Sequence, residues 1–464
     1  MIWNEKGARE KILHKQAVVF FSKGLCVFMQ IALFTAGWLL MQKGYRIHAE
    51  TTMVLVLVYS IVLCALHKTY GGLDVGQSRV ADLSISQILT LGMNNALTLL
   101  IILLILKRFP HMGYAVLTYI VQCVTSVLWC MWANQKYFKV HPAKKTAIIY
   151  DEELALESIE EIYRREKRFD VQLTLDLNAY QDNMEALHAQ LGQMETVFLC
   201  AVSSQCRNDL LKFCMDHNIL VYVRPRLGDV LMSSGSRKYL FHVPVIKCDL
   251  MYPSMLYLIT KRAMDLIVSG LMLIVASPFM LGVALAVKLE DGGPVFYKQK
   301  RLTRGGKEFD ILKFRSMRVD AEKDGVARLA SQGDSRITKV GRVIRATRLD
   351  ELPQLLNILK GDMSLVGPRP ERPEIAAQYM ETLPEFHLRL QTKAGLTGYA
   401  QVHGKYNTTP YDKLQMDLMY IADMSFVQDV KLILQTVQIM LRRDSTEGVQ
   451  EGQKTANKKP GKSA

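Results

Sequence analysis

Leu266–Val287, LIVSGLMLIVASPFMLGVALAV, contains no Asp, Glu, Lys or Arg. Crossing a bilayer takes about 20 apolar residues, so length alone predicts a spanning helix. Two features oppose that reading. Lys261 and Arg262 precede the stretch, and Lys288, Lys298, Lys300 and Arg301 follow it, so neither flank is marked as the external one. Ser277-Pro278 stands at its middle, where the proline removes a backbone donor and can kink a helix. A neighbouring serine hydroxyl can satisfy a carbonyl freed in this way.

Upstream, Gly24 to Gln42, Thr51 to Leu66, Leu83 to Leu106 and Met112 to Gln135 are also free of charged residues, which predicts four transmembrane helices within residues 1–140. Lys6, Arg9, Lys11 and Lys15 precede the first, and Lys136, Lys139, Lys144 and Lys145 follow the last, which places both ends of the bundle in the cytoplasm. None of the eight cysteines forms a Cys-x-x-Cys pair, which argues against a disulfide framework or a zinc site. The formal net charge of +14 suits a partner that is an anionic lipid or a nucleotide diphosphate. No nucleic-acid motif accompanies it, so nucleic acid is excluded as a partner.

Residues 141–250 alternate strand-like and helical runs: Thr146 to Tyr150, Leu154 to Arg168, Val171 to Leu175, Val197 to Ala201, Ser203 to His217 and Ile219 to Val223. Such alternation predicts a small parallel, Rossmann-like α/β module. A dinucleotide site would need Gly-x-Gly-x-x-Gly after the first strand. Tyr150-Asp151-Glu152-Glu153 stands there instead, and its acids would repel a phosphate. The module is therefore read as degenerate, a spacer or oligomerisation unit, with a homodimer as one option for the assembly. Beyond Pro370, helices are expected near Glu374 to Leu390, Tyr411 to Ile421 and Asp429 to Leu441. Phe386, Leu388, Leu390, Met416, Met419 and Tyr420 in them suit either a core or lipid headgroups. The polar, lysine-rich tail, 444–464, is expected to be disordered.

The chemistry concentrates in Thr347-Arg348-Leu349-Asp350-Glu351-Leu352-Pro353-Gln354. Arg345 and Arg348 precede the adjacent acids, and Lys360-Gly361-Asp362-Met363-Ser364-Leu365-Val366-Gly367-Pro368-Arg369-Pro370 follows, so the two carboxylates lie among cations suited to a diphosphate. One carboxylate can attack phosphorus while the other holds a metal. The plainer alternative is that Asp350 caps a helix running from about Glu351 to Leu359. A helix N-terminus with Arg345 and Arg348 nearby would lower the pKa of Asp350.

Four blocks carry a resemblance: Lys261-Arg262-Ala263-Met264-Asp265 with Ser277-Pro278; Gly293-Pro294-Val295-Phe296-Tyr297 through Lys313-Phe314-Arg315-Ser316-Met317; the Asp350-to-Pro370 run; and Gly395-Leu396-Thr397-Gly398-Tyr399-Ala400-Gln401-Val402. Residues 257–443 resemble the bacterial sugar transferases, the polyprenyl-phosphate hexose-1-phosphate (monotopic phosphoglycosyl) transferases. The resemblance implies a mostly α-helical monotopic domain with a re-entrant helix over 262–288, broken at Ser277 and Pro278, and a catalytic face in the cytoplasm of the bacterial inner membrane. It implies Asp350 as nucleophile, Glu351 as ligand of Mg2+, and Lys313, Arg345 and Arg369 as phosphate-binding groups. Thr397 and Gln401 would lie in a nucleotide or sugar loop. The implied substrates are a UDP-hexose, with glucose or galactose as the expected sugar, and undecaprenyl phosphate among membrane lipids, with UMP as product. Arg348 stands where the family commonly has Ser, and His403 where Asn is usual. The competing class is a catalytically inactive membrane scaffold or regulator of polysaccharide assembly, against which the intact acid pair argues.

Overall fold

A computed structural model describes residues 2–42, 47–151, 166–180, 183–200, 202–233, 235–240, 243–248, 253–319, 336–404 and 408–440. The expected disordered tail and most of the helix expected at Leu154 to Arg168 lie outside the described residues. The chain divides into two compact units, Met1–Pro225 and Arg226–Ala464.

The first unit opens with helices α1 (Ile2–Met41), α2 (Ala49–Tyr70), α3 (Val80–Leu106) and α4 (Met112–Val140). Each is long and apolar enough to cross a membrane, α1 through Ala17–Met41. Phe20, Leu57, Leu104 and Leu128 face outward, whereas Gln30, Gln87, Asn94, Gln122 and Ser126 are fully buried. A hydrocarbon solvent selects this arrangement, because a polar side chain there needs a partner on another helix. Gln122 Nε2 donates to Tyr59 OH at 2.9 Å and to Gln30 O at 3.0 Å, Gln30 Nε2 donates to Ser126 Oγ at 2.6 Å, and Asn94 Nδ2 donates to Tyr59 O at 3.3 Å. One network thus ties all four helices together.

After α4 come strands β1 (Lys144–Tyr150), β2 (Phe169–Asp176), β3 (Thr196–Cys200) and β4 (Leu220–Val223), with helices α5 (Met184–Leu191) and α6 (Ser204–Asp216) between them. The strands pair in parallel in the order β2-β1-β3-β4. Ala147, Ile149, Val197 and Leu199 pack with Leu187, Leu191 and Leu210 of α5 and α6. Their neighbours Ile148, Phe198 and Cys200 form a separate buried cluster. That alternation is the two-residue period of a sheet buried on both faces.

The second unit begins with α7 (Leu227–Ser233) and a hairpin of β5 (Ser236–Leu240) and β6 (Val243–Lys247). Val230 of α7 belongs to the core of this unit. The apolar stretch then appears as one continuous helix, α8 (Met255–Asp291), with Pro278 inside it. The expected interruption at Ser277-Pro278 is therefore not an end of the helix. Pro278 cannot donate to Ile274 O, and Ser277 Oγ donates to that carbonyl at 2.8 Å. On length and composition α8 joins the first four as a fifth candidate span. Ile267, Leu271, Ile274, Val275, Phe279, Leu281 and Leu285 are exposed along it.

Next come the antiparallel hairpin β7 (Phe296–Leu302) and β8 (Glu308–Phe314), helix α9 (Lys339–Ala346), a 3-10 turn over Leu349–Glu351, and helix α10 (Gln354–Lys360). Strand β9 (Ser364–Val366) follows, then α11 (Pro373–Thr382), a 3-10 segment over Pro384–Gln391, and β10 (Gly395–Thr397), which pairs in parallel with β9. Helices α12 (Tyr399–His403), α13 (Pro410–Ala422) and α14 (Phe426–Met440) complete it. Phe386 and Tyr420 are buried in the core, which corrects the option of lipid contact for those two aromatics.

Both ends of α8 are fastened to this unit. Lys261 Nζ donates to Asp429 Oδ2 at 2.8 Å, Val366 O at 2.9 Å and Tyr420 OH at 3.2 Å, which uses all three ammonium hydrogens. Arg262 donates to Ile358 O at 2.7 Å and Leu359 O at 2.8 Å, in the last turn of α10, where carbonyls run short of backbone partners. Asp265 Oδ1 accepts from Leu365 N at 2.9 Å and Ser364 Oγ at 3.1 Å. At the far end Asp291 pairs with Arg315, Glu290 Oε1 accepts from Lys339 N at 2.7 Å, and Val287 packs with Phe314 and Ile344.

Lys261→Met should lower stability by about 3–5 kcal/mol, because it leaves Asp429 buried and unpaired. Adding Asp429→Leu should restore most of the loss. Thermal denaturation of the purified chain in nanodiscs checks both, and a single variant as stable as the parent would contradict the role given to this pair.

Candidate active site

The acid pair sits where the chain turns from α9 into α10. Arg348 adopts the left-handed region, φ 59° and ψ 14°, which is uncommon for a non-glycine residue. Its carbonyl accepts from Glu351 N at 3.2 Å, so Asp350 and Glu351 lie in a single 3-10 turn rather than in the first turn of a long helix. Pro353, not Asp350, precedes α10 and gives no side-chain cap. The capping role is thereby overturned, and the family's Ser position is the one Arg348 holds in the left-handed conformation.

Glu351 Oε1 accepts from Arg369 Nη2 at 2.9 Å and from Lys313 Nζ at 3.4 Å. Lys313 arrives from β8. That strand is held against α10 by Asn357, whose Nδ2 donates to Asp310 O at 2.9 Å and whose Oδ1 accepts from Leu312 N at 2.9 Å. Arg369 arrives from the Gly367-Pro368-Arg369-Pro370 segment beyond β9 and remains partly exposed. Arg345 and Arg348 add positive potential at Asp350. The structure thus brings Lys313, Arg345 and Arg369 around Asp350 and Glu351.

The two carboxyls differ sharply. Burial pushes Glu351 up, but Arg369, Lys313 and Arg348 together overrule it and hold this carboxyl well below the usual range. Burial, and then the Glu351 charge, push Asp350 above its ordinary value despite Lys313, Arg345 and Arg348. The expected lowering of the Asp350 pKa is corrected here: burial and the adjacent Glu351 charge outweigh the cations. Burial also lowers Lys313, with Arg369 and Arg301 adding to the effect against the opposing Glu351 charge.

Mg2+ takes oxygen ligands and typically uses one or two carboxylates beside waters and substrate phosphates. Both hydrogen bonds to Glu351 fall on Oε1. Among the described residues, no hydrogen bond reaches its Oε2 or the Asp350 carboxylate, and no cluster of three or more metal-binding side chains occurs. These oxygens fit Mg2+ in the mode completed by substrate.

Thr397 and Gln401 stand apart from the acid pair, with no hydrogen bond to it among the described residues. Thr397 is buried, and its Oγ1 shares a 2.6 Å hydrogen bond with Thr436 Oγ1. Gln401 folds over Gly398, and both of its amide atoms are buried without a hydrogen-bond partner. The glycines have a structural reason of their own. A Cβ on Gly395 would collide with Gly367 N, and one on Gly398 with Gly367 O, so the β9–β10 crossing excludes side chains. Ser277 and Pro278 lie in α8, outside this site. Sequence reasoning missed Asn357, Arg389, Asp417 and Asp429. Only the i, i+4 spacing of Lys261 and Asp265 signalled such a role, by putting both on one helix face.

Residues 256–443 match the family described as bacterial sugar transferase. An Aeromonas hydrophila UDP-N-acetylgalactosamine-undecaprenyl-phosphate N-acetylgalactosaminephosphotransferase is 37% identical over 231 residues, 49% of this chain and 54% of that protein. A Caulobacter vibrioides UDP-glucose:undecaprenyl-phosphate glucose-1-phosphate transferase is 42% identical over 190 residues, 40% of this chain and 71% of that protein. A Rhizobium leguminosarum exopolysaccharide production protein is 42% identical over 195 residues, 40% of this chain and 97% of that protein. The match thus spans about half the Aeromonas protein but nearly all of the Rhizobium one. The family match falls on α8 through α14, the elements that build and carry the acid pair, and by that portion the chain belongs to the bacterial sugar transferase family.

Proposed function

We propose that the protein transfers a hexose 1-phosphate from a UDP-sugar to undecaprenyl phosphate at the cytoplasmic face of a bacterial inner membrane, and so begins a surface polysaccharide. The observation that carries this reading is the pairing of Glu351 Oε1 with Lys313 and Arg369 beside an Asp350 carboxylate that, among the described residues, has no hydrogen bond of its own. Donor and acceptor are both anionic, so a covalent step separates two charges that would otherwise meet directly. An Asp350 oxygen forms a bond to the β-phosphorus as the bond from that phosphorus to the bridging oxygen breaks, and UMP leaves with the electron pair. An oxygen of the lipid phosphate then bonds to the same phosphorus, the Asp350 ester breaks, and the carboxylate is restored. Arg369, Lys313 and Arg345 bind and orient the phosphates, and their fixed charges oppose the charge that develops there. Magnesium held through Glu351 supplies further neutralisation of the diphosphate when bound. The relatives' names include glucose and N-acetylgalactosamine, so the donor is taken as a UDP-hexose. Membranes carrying the protein, given undecaprenyl phosphate and a panel of UDP-sugars, should release UMP with one of them.

We place α8 in one leaflet. Lys261 and Arg262 near its start and Glu290 and Asp291 at its end all bond to the second unit, and a crossing helix would require that unit on both sides of the bilayer. Its exposed apolar face then meets lipid. The parallel sheet, lacking glycines at Tyr150-Asp151, is read as a degenerate Rossmann-like spacer.

Asp350→Asn should abolish UMP release, and Glu351→Gln should lower it by roughly 10³-fold or more, with the fold intact. Near-parental turnover by Asp350→Asn would remove it as nucleophile. Because Asp350 is held above its ordinary pKa, it loses charge as pH falls through a range above that of a free aspartate. Arg345→Gln removes a cation that favours the ionised form and should shift the acid limb of kcat/KM to higher pH. A limb that stays in place would assign it to another group. In a cysteine-free background, single cysteines introduced at exposed positions near Lys261 and near Lys300 should both resist an impermeant thiol reagent in intact cells and react after permeabilisation. Labelling of one alone in intact cells would establish a crossing helix.

A further inference from the structure

Arg369 rises from a segment without regular secondary structure, yet all four consecutive carbonyls around it are held from outside. Pro368 O accepts from Gly395 N at 2.9 Å and Glu371 O from Leu302 N at 3.0 Å. The two between them are held by side chains. Arg389 Nη2 donates to Arg369 O at 2.9 Å, and Arg301 Nη1 donates to Pro370 O at 2.9 Å. Leu302, Met380, Phe386 and Leu390 line a small cleft beside the segment, and the two guanidinium groups hold its central carbonyls.

The guanidinium groups are themselves fixed. Arg389 is buried at 3% exposure, stacks 4.8 Å from the Phe386 ring, and pairs with the buried Asp417 at 2.7 Å and with Glu371 at 3.6 Å. Arg301 Nη2 donates to Gln299 Oε1 at 2.6 Å, and its Nη1 lies 4.0 Å from Glu371. Stability is a weak reason for such a cluster, since burying ion pairs often gains little over packed apolar groups. Burial in fact holds the Asp417 carboxyl up at about 6 even beside Arg389. Geometry is the better reason. Proline rings fix φ on either side of Arg369, and carbonyls held from both flanks remove the remaining freedom. The Arg369 fork then projects in one direction, toward Glu351.

We propose that Arg301 and Arg389, the latter seated by Asp417, are positioning residues for the phosphate-binding Arg369. The proposal rests on the site reading above for what Arg369 binds. A planar fork that reaches a carbonyl while pairing with an acid cannot be replaced by an ammonium. Arg389→Lys and Arg301→Lys therefore test direction without removing charge.

Full-length protein in nanodiscs serves for two readouts, UDP affinity by calorimetry and kcat/KM for UMP release, with the melting temperature measured alongside. Arg389→Lys should weaken both by roughly tenfold to a hundredfold, the scale of a small misplacement of a catalytic group. Arg369→Lys should do the same, and the double variant should be no worse than the weaker single one. A merely structural role would lower the melting temperature without this non-additivity. Losses that multiply, or an Arg389→Lys chain within twofold of the parent, would overturn the proposal. Should Arg389→Lys fail to fold, Arg301→Lys in the same cycle decides. A parent chain that binds UDP but releases no UMP from any UDP-sugar defeats the functional reading alone, and the affinity cycle still judges the positioning. A parent chain that does not bind UDP overturns the positioning claim itself.

Discussion

The buried pair of Lys261 and Asp429 is the constraint on which the second unit depends. An apolar helix exposed along one face has no reason of its own to stay seated on a charged catalytic fold. Lys261 supplies one, because its three hydrogens are all taken by Asp429, Val366 and Tyr420, and a buried ammonium with an unused hydrogen would be costly. One turn further on, Asp265 holds Ser364 and Leu365. The three residues of β9 are thus gripped from a single helix face. Since β9 runs directly into Gly367 and Arg369, the seating of the apolar helix and the placement of the arginine that pairs with Glu351 are one structural fact.

The same economy of contacts separates the two acids. Adjacent carboxylates repel, and a shared pool of cations could have been divided equally between them. The 3-10 turn prevents that by directing Glu351 at Lys313 and Arg369 while Asp350 has only the longer-range charges of Lys313, Arg345 and Arg348. Environments that push two neighbouring acids apart are how one site obtains two roles from one residue chemistry. Here Glu351 is held as an anion, and among the described residues the Asp350 carboxylate takes part in no hydrogen bond.

Much of this was legible in the sequence because the signals were local. The four leading helices showed in charge-free runs of membrane length, and β1 through β4 in short apolar runs between helical ones, each ending within a few residues of the observed end. The acids and the cations near them were legible as residue types in a motif. Direction was not. Sequence proximity put Arg345 and Arg348 beside Asp350 but could not tell that Lys313 and Arg369, distant along the chain, would meet at Glu351 and leave Asp350 with a raised pKa. The left-handed Arg348 was equally hidden, since only glycine and asparagine usually announce that conformation. Arg389 and Asp417 are 28 positions apart and look like ordinary surface charges until α13 packs against the 3-10 segment. The bond from Thr397 to Thr436 was hidden for the same reason, since the two lie 39 positions apart.

Ser277-Pro278 is the most instructive departure. A proline at the centre of an apolar helix removes the donor for Ile274 O, and in hydrocarbon an unsatisfied backbone group costs several kcal/mol. That cost would favour ending the helix there. The serine one position earlier changes the balance, because its hydroxyl reaches Ile274 O at 2.8 Å and the hydrogen-bond ladder can continue past the gap. The ring still crowds the preceding turn, so the dipeptide acts on the course of the helix rather than on its existence. Both ends of α8 are tied to the same unit, and at Pro278 the serine hydroxyl keeps the one carbonyl that loses its backbone donor satisfied.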